Sequence, residues 1–502
     1  MSDQSASPDL ISSGIAGLDD VLGGGLRRNR LFLVEGAPGA GKTTLSMQLL
    51  QAAVARGEPV LYVTLSETEA ELRSVATSHG WSLDNIAIHE LTPSEAALDP
   101  DEQNTMFHAA EVELGATIQT VLAMVTRLNP TCVVLDSLSE LRLLAGNALR
   151  YRRQILALKQ FFSSRNCTAV LLDDMTATDQ DLQMQSIAHA VIRLEELNPE
   201  YGSERRRLRV VKYRGTKYRG GYHDYVIERG GLRVFPRLVA SEHRGDGDRR
   251  RLASEVPQLD SLLGGGLERG TSTLIVGSAG TGKSTLAAQF ASAAAGRGQR
   301  AALFLFDENP ATLLSRCEGM GIEFASHIEA GRILLHQIDP AELSPGEFTD
   351  RIRLAVCDNA SIIVIDSLNG YLNAMPGERY LTIQLHELLM FLGQQAVATI
   401  LIAAHHGMIG SQMSAPVDAS YLADAVILLR YFEASGEVHQ AISVVKKRGS
   451  RHERTIREFR LDERGVFVGP PLRRFRGILT GVPIYDGGTD SLDTKPKDVD
   501  PL

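Results

Sequence analysis

"RLFLVEGAPGAGKTTLSMQLL", residues 30–50, decides the fold, because an apolar run, a glycine loop and a helical pattern follow one another without a break. The loop fits G-x-x-x-x-G-K-[ST], and the same order returns in "STLIVGSAGTGKSTLAAQF", residues 272–290. A strand before and a helix after are the context that a phosphate-binding Walker A loop requires. Gly36, Gly39 and Gly41, like Gly277, Gly280 and Gly282, let backbone N–H groups turn inward, and the helix N-terminus adds its positive end. Lys42 and Lys283 are expected on the β- and γ-phosphates, and Thr43 and Ser284 on Mg²⁺. Thr44, Thr281 and Thr285 are expected to bind ATP in the same loops, and Thr216 and Ser450 also belong to the expected ATP-binding set.

Working outward, the whole chain is written twice. "LDDVLGGGL" from Leu18 returns as "LDSLLGGGL" from Leu259, and this shift of 241 residues also carries Lys42 onto Lys283. "TCVVLDS", with Asp136, returns as "SIIVIDS", with Asp366, and "VVKYRGT", with Lys212, as "VVKKRGS", with Lys446. Landmarks repeated in one order at nearly one spacing mean a duplicated domain. The boundary is expected in the polar stretch "SEHRGDGDRRR" (241–251), which gives domains at 1–240 and 250–470 and a tail at 471–502 whose end is disordered. The runs "RLFLVEG", "PVLYVTL", "CVVLDS" and "TAVLLDD" carry little polar alternation, as buried parallel strands do. Separated by helical patterns, they indicate an α/β fold with a mostly parallel sheet flanked by helices.

Asp136 and Asp366 each end an apolar strand, the Walker B arrangement, in which a carboxylate orders Mg²⁺ beside the phosphates. The alternative for each is a cap on the next helix. Glu67, and Asp307 with Glu308, fall just past the second strand of each repeat and suit a catalytic base or water-orienting group. N-capping or a solvated loop acid is the alternative. Lys212/Arg214 and Lys446/Arg448 read as a strand delivering two cations to a Gly-Thr or Gly-Ser turn, far along the chain from Walker B.

Composition narrows the class. The 502 residues are 43% hydrophobic and 23% charged, with a net charge of −9, which argues against a binder held to nucleic acid mainly by charge. Cys132, Cys167, Cys317 and Cys357 are scattered without Cys-x-x-Cys spacing and are expected to be reduced, buried thiols. The N-terminus shows no basic-then-apolar leader, and no apolar run approaches the ~20 residues of a spanning helix. A cytoplasmic protein with no membrane contact is expected.

With these motifs placed, the sequence resembles the KaiC family of RecA-like ATPases across both repeats, about residues 10–470. The resemblance implies two tandem RecA-like P-loop NTPase domains, assembled as a double-ring homohexamer with ATP at the subunit interfaces. It implies ATP hydrolysis mainly in the N-terminal ring and serine/threonine autokinase activity in the C-terminal ring. Lys212, Arg214 and Thr216, and Lys446, Arg448 and Ser450, match the family's Lys-x-Arg-Gly-Ser/Thr segment, which reaches the neighbour's γ-phosphate. The family's adjacent catalytic glutamates are here Ser66-Glu67 and Asp307-Glu308. At the family's Ser-Thr phosphorylation site the chain reads "ASYLADAVILLR", so Ser420 keeps the serine and Tyr421 replaces the threonine. A tyrosine hydroxyl stands too far from its backbone for the same in-line geometry, which leaves Ser420 either as a one-site switch or as an ordinary loop serine. His405-His406 could face a γ-phosphate, or simply pack in a loop. Two other functions fit a RecA-like ATPase: an ATP-dependent assembly switch without kinase activity, and a DNA-dependent motor, against which the acidic balance and the lack of a basic, aromatic loop argue.

Overall fold

The computed structural model describes residues 9–91, 106–175, 182–199, 201–243, 245, 250–373, 380–404, 421–434, 436–478 and 484–485. The chain divides into two compact units, Met1–Arg237 and Leu238–Leu502. Each is built on a nine-stranded sheet flanked by helices, consistent with two tandem RecA-like domains.

In the first unit the sheet strands are β1 (Leu31–Gly36), β2 (Val60–Thr64), β3 (Ala87–Glu90), β4 (Cys132–Asp136), β5 (Thr168–Asp173), β6 (Ala190–Leu197), β7 (Arg205–Tyr213), β8 (His223–Glu228) and β9 (Gly231–Phe235). Their spatial order is β3-β2-β4-β5-β1-β6-β7-β8-β9, with β3 through β6 mutually parallel and the last three joined antiparallel. The second unit repeats this order with β10 (Ser272–Gly277), β11 (Arg300–Leu305), β12 (Ile333–Gln337), β13 (Ala360–Asp366), β14 (Ala398–Ala404), β15 (Ala425–Ala434), β16 (Glu437–Lys447), β17 (Ile456–Asp462) and β18 (Gly465–Pro471).

The phosphate-loop strand is central in both sheets, and its sequence explains why. Leu31 and Leu33 enter the core on one face of the sheet, and Phe32 and Val34 the core on the other. A strand buried on both faces has no polar side to alternate with. The helix after it, Lys42–Ala55 or Lys283–Gly296, lies against the strands beside it and buries most of its length. Gly41 and Gly282 precede these helices in the left-handed region, at φ of 87° and 90°. A Cβ at Gly41 would lie 2.5 Å from Ile227 Cδ1, and one at Gly282 would lie 2.4 Å from Leu461 Cδ1. Glycine is therefore demanded twice, by the turn and by close packing.

One expectation needs correction. Cys132, Cys167 and Cys317 are buried free thiols, but Cys357 is exposed, because it ends the helix Pro345–Cys357 on the solvent side. Arg206 and Arg207 pair with Glu196 at 3.5 Å and Glu195 at 3.0 Å on the adjacent strand, and Arg207 also covers the Tyr222 ring. The last residues of the tail, read as disordered, lie outside the described residues.

The two sheets differ sharply beneath the loop. In the first unit Glu35, on β1, is buried and bonded to Arg193 of β6 at 2.9 Å and to the Gln185 amide, and Arg142 pairs with Asp173 at 2.6 Å. The residues in the same register of the second unit are Val276, Leu428, Leu372 and Ala403, all part of an apolar cluster. Taking an ion from water costs several kcal/mol, which here only a complete set of partners offsets. Glu35→Val or Arg193→Leu alone should destabilise the first unit by about 2 kcal/mol. The double substitution, which copies the second unit, should recover to within about 1 kcal/mol of the starting protein. Trp81 is the sole tryptophan and packs against the core of the first unit, so its fluorescence during urea unfolding reads that unit alone.

Candidate functional site

In the first unit the loop between β1 and its helix brings the predicted residues together at the C-terminal edge of the sheet. Lys42 Nζ donates to the carbonyls of Gly36 at 2.9 Å and Ala37 at 3.0 Å, and pairs with Asp174 at 2.9 Å. Thr43 Oγ1 donates to Asp136 Oδ2 at 3.2 Å, and the Tyr62 hydroxyl donates to the same oxygen at 2.5 Å. Burial raises the Asp136 carboxyl, while Tyr62 and Thr43 pull it back. A hydroxyl and a carboxylate side by side at the mouth of a phosphate loop form the oxygen donor set that suits Mg²⁺. Thr44 is buried on the inner side of the helix.

Glu67 is held by local sequence. It follows β2, its N–H donates to Thr64 Oγ1 at 3.0 Å, and the next residue, Thr68, closes a capping box with Glu71 on the helix Glu69–Ser78. Such a cap contributes about 1 kcal/mol and fixes where the helix starts. Glu67 is thereby set at the strand end with its own Oε2 buried and unbonded among the described residues. Burial raises its carboxyl first, then Asp136, Glu71 and Asp174 add to this, and Lys42 opposes them.

The second unit reproduces the frame with different chemistry. Lys283 Nζ donates to Ser278 O at 2.7 Å, and the buried Thr281 hydroxyl donates to the same carbonyl at 2.8 Å. Gly280 has φ of 79°, and Thr285 is buried. Ser284 hydrogen-bonds Asp366, whose carboxyl burial pushes up to about 6, with Glu308 and Asp307 adding to the rise. Leu303 occupies the register position of Tyr62, so Asp366 lacks the phenol donor that steadies Asp136. Asp307 accepts from Ser367, and both oxygens of Glu308 are bound by Arg316 at 2.6 and 2.7 Å. The two second-unit carboxylates are thus tied down where Glu67 keeps an oxygen free.

The cation pairs lie away from these loops. Arg214 N–H donates to His189 O, and His189 N–H to Leu31 O, which sets Arg214 level with the first residue of β1, opposite the end that carries Gly36. Lys212 Nζ donates to Gln185 O, and Arg214 Nη2 to Ser186 O at 2.7 Å. In the second unit Lys446 Nζ donates to Ala423 O at 2.7 Å, and Arg448 faces Asp424 at 3.8 Å. Thr216 and Ser450 follow the Gly215 and Gly449 turns, and the Ser450 hydroxyl is buried without a partner among the described residues. Ser420, His405 and His406 lie outside the described residues, while Tyr421 is exposed.

Sequence reading missed Tyr62, Asp174, Arg316 and the Glu35–Gln185 contact. Only the second aspartate of "LLDD", at a parallel strand's end, was a usable signal. Gln185 is notable because its amide holds Glu35, next to the loop, while its carbonyl holds Lys212.

Comparison with known proteins agrees with this frame. The family model described as "ATPase: KaiC" matches residues 11–239 and again 252–473. The chain is 26% identical over 490 residues to the circadian clock protein KaiC3 of Synechocystis sp., covering 95% of each chain. It is 28% identical over 487 residues to the circadian clock oscillator protein KaiC of Thermostichus vulcanus, covering 95% of this chain and 92% of that one. To the KaiC of Synechococcus elongatus it is 27% identical over 477 residues, with 93% and 91% covered. Among the described residues no helix is long and apolar enough to cross a membrane.

The raised Asp366 carboxyl has a consequence for stability. A carboxyl at about 6 in the fold and 3.8 when exposed binds its proton more tightly folded, so its charge destabilises the second unit above pH 6. That penalty shrinks as pH falls through 6 and is gone below the unfolded value. Asp366→Asn should therefore stabilise the nucleotide-free second unit by about 2 kcal/mol at pH 8, with little effect at pH 4. Slower hydrogen exchange along Ala360–Asp366 at the higher pH is the readout.

Proposed function

The chain belongs to the KaiC ATPase family, and from that premise we propose a Mg²⁺- and ATP-dependent double-ring homohexamer. Its first unit hydrolyses ATP, and its second carries autophosphorylation capacity on Ser420. The observation that carries the division of labour is the state of the carboxylates: Glu67 keeps a buried, unbonded oxygen, whereas Glu308 gives both of its oxygens to Arg316.

Each side chain has a task on this reading. Lys42 and Lys283 leave their carbonyl partners for the β- and γ-phosphates. Thr43 with Asp136, and Ser284 with Asp366, hold Mg²⁺, whose chemistry when bound is to neutralise phosphate charge. Glu67 orients a water or takes its proton, and its raised carboxyl brings it nearer the working pH of a general base. Lys212 and Arg214, and Lys446 and Arg448, serve the adjacent subunit's γ-phosphate, as arginine fingers do. The tethered Asp307 and Glu308, with Tyr421 where a second acceptor would stand, also favour a second reading, in which the second unit is an ATP-held assembly switch without kinase activity.

Incubation with γ-labelled ATP and Mg²⁺, following released phosphate and protein-bound label together, separates these readings. Lys42→Ala should lower phosphate release at least about tenfold, and Lys283→Ala should leave most of it. Bound label should vanish in Lys283→Ala and in Ser420→Ala. Release without any bound label would leave the assembly switch, and no release at all would overturn the ATPase reading.

A further inference from the structure

On the first unit, at the sheet end opposite its phosphate loop, a cavity of about 380 Å³ is lined by Arg27, Arg30, Lys159, His189, Arg214 and Gly215. Lys212 stands close enough to add to the field there. The hydrogen bonds of these cations all go to backbone carbonyls: Arg27 to Gly215, Arg30 to Asn29, Lys159 to Ile187, Lys212 to Gln185 and Arg214 to Ser186. None of the five has an ion-pair partner among the described residues, and Arg27 Nε is buried with no hydrogen-bond partner among them. Lys159 and Lys212 are both shifted down, by burial first and then by the neighbouring cations. His189, pushed by burial and the same cations to about 4, stays neutral and adds no charge.

The second unit shows what this position looks like without the charge. In register, Arg27 becomes Glu268, Arg30 becomes Thr271, Lys159 becomes the buried Leu389 and His189 becomes Asp424. Its cavity is smaller, about 160 Å³, and its cations are already answered: Lys447 lies 3.7 Å from Glu268, and Arg448 lies 3.8 Å from Asp424. Like charges gathered without counter-charges cost stability unless something else answers them.

We infer that the basic cavity of the first unit binds the polyphosphate of a nucleotide, with Arg27, Arg30 and Lys159 as binding residues beyond the Lys212/Arg214 pair on whose reading this builds. Compactness decides the ligand class. Guanidinium forks match phosphate oxygens two at a time, and several cations converging on one small cavity fit a short, multiply charged anion. A carboxylate-bearing peptide spreads its charges along the chain by roughly 3.3–3.6 Å per residue. The polyphosphate can come from solution or from the nucleotide held by a second copy of this chain.

The test has two arms. In the first, full-length protein carrying Lys42→Ala and Lys283→Ala, with folding checked by Trp81 fluorescence, is titrated with sodium tripolyphosphate in a calorimeter. In the second, ATP is titrated into the otherwise unaltered chain and assembly is followed by light scattering. Arg30→Gln and Lys159→Gln are added in both arms, and Arg473→Gln/Arg474→Gln serves as a control for charge alone. Binding in the first arm, weakened roughly tenfold or more per cation removed and untouched by the control, establishes a site for free polyphosphate. No binding there, but a comparable rise in the ATP needed for assembly with nucleotide-free self-association unchanged, assigns the ligand to the neighbour's nucleotide. Indifference to Arg30→Gln and Lys159→Gln in both arms overturns the inference. Tripolyphosphate binding to the disabled chain, with no phosphate released from ATP by the unaltered protein, would sink the ATPase reading and leave this one standing.

Discussion

The length of one parallel strand governs everything else in each unit. β1 is six residues long, carries the phosphate loop at its C-terminal end and, through His189, meets Arg214 at its N-terminal end. At about 3.3 Å per residue the two ends stand roughly 15–20 Å apart, too far for Arg214 to reach its own loop. On the proposed function, the cation that such a site needs comes from another copy. The ring proposed above accords with this geometry: each subunit would offer a nucleotide on one edge and cations on the other. Gln185 ties the halves within one chain, holding Glu35 by its amide and Lys212 by its carbonyl.

Duplication kept that frame and changed its electrostatics. In the first unit charges run under and around the loop: Glu35 with Arg193, Arg142 with Asp173, and Asp174 with Lys42. The second unit has Val276, Leu428, Leu372 and Ala403 in those places and holds its sheet by apolar packing. The Walker B carboxylates follow their surroundings. Asp136 is steadied by Tyr62, while Asp366, with Leu303 beside it, is driven to about 6. The same backbone thus presents two differently tuned sites, which is the physical basis for assigning them different work.

Much of this was legible in the sequence, and the rest was not for a definite reason. The phosphate loops, the Walker B aspartates and the strand–cation–turn segments are local patterns whose residues are close along the chain. Strands such as "CVVLD" could be read because burial on both faces removes polar alternation. What escaped reading depends on partners far apart in sequence, as Tyr62 is from Asp136 or Arg27 from Gly215. Arg316 lies only eight residues from Glu308, yet its pairing needs the capped helix after Asn309 to set its direction. Cys357 misled for a simpler cause: a thiol at a helix end faces whatever that last turn faces, which here is water.

Completion of each site by a neighbour is tested most directly by mixing two disabled proteins. Glu67→Gln spoils the hydrolysing edge and leaves the cations, whereas Lys212→Ala/Arg214→Ala spoils the cations and leaves Glu67. Each alone should release phosphate slowly. Mixed in equal amounts without nucleotide and then given Mg²⁺ and ATP, they should recover about a quarter of the first-unit rate, the statistical share of interfaces pairing two intact edges in a symmetric ring. A mixture no faster than the average of its two parents would contradict shared sites and return Lys212 and Arg214 to a role within their own subunit.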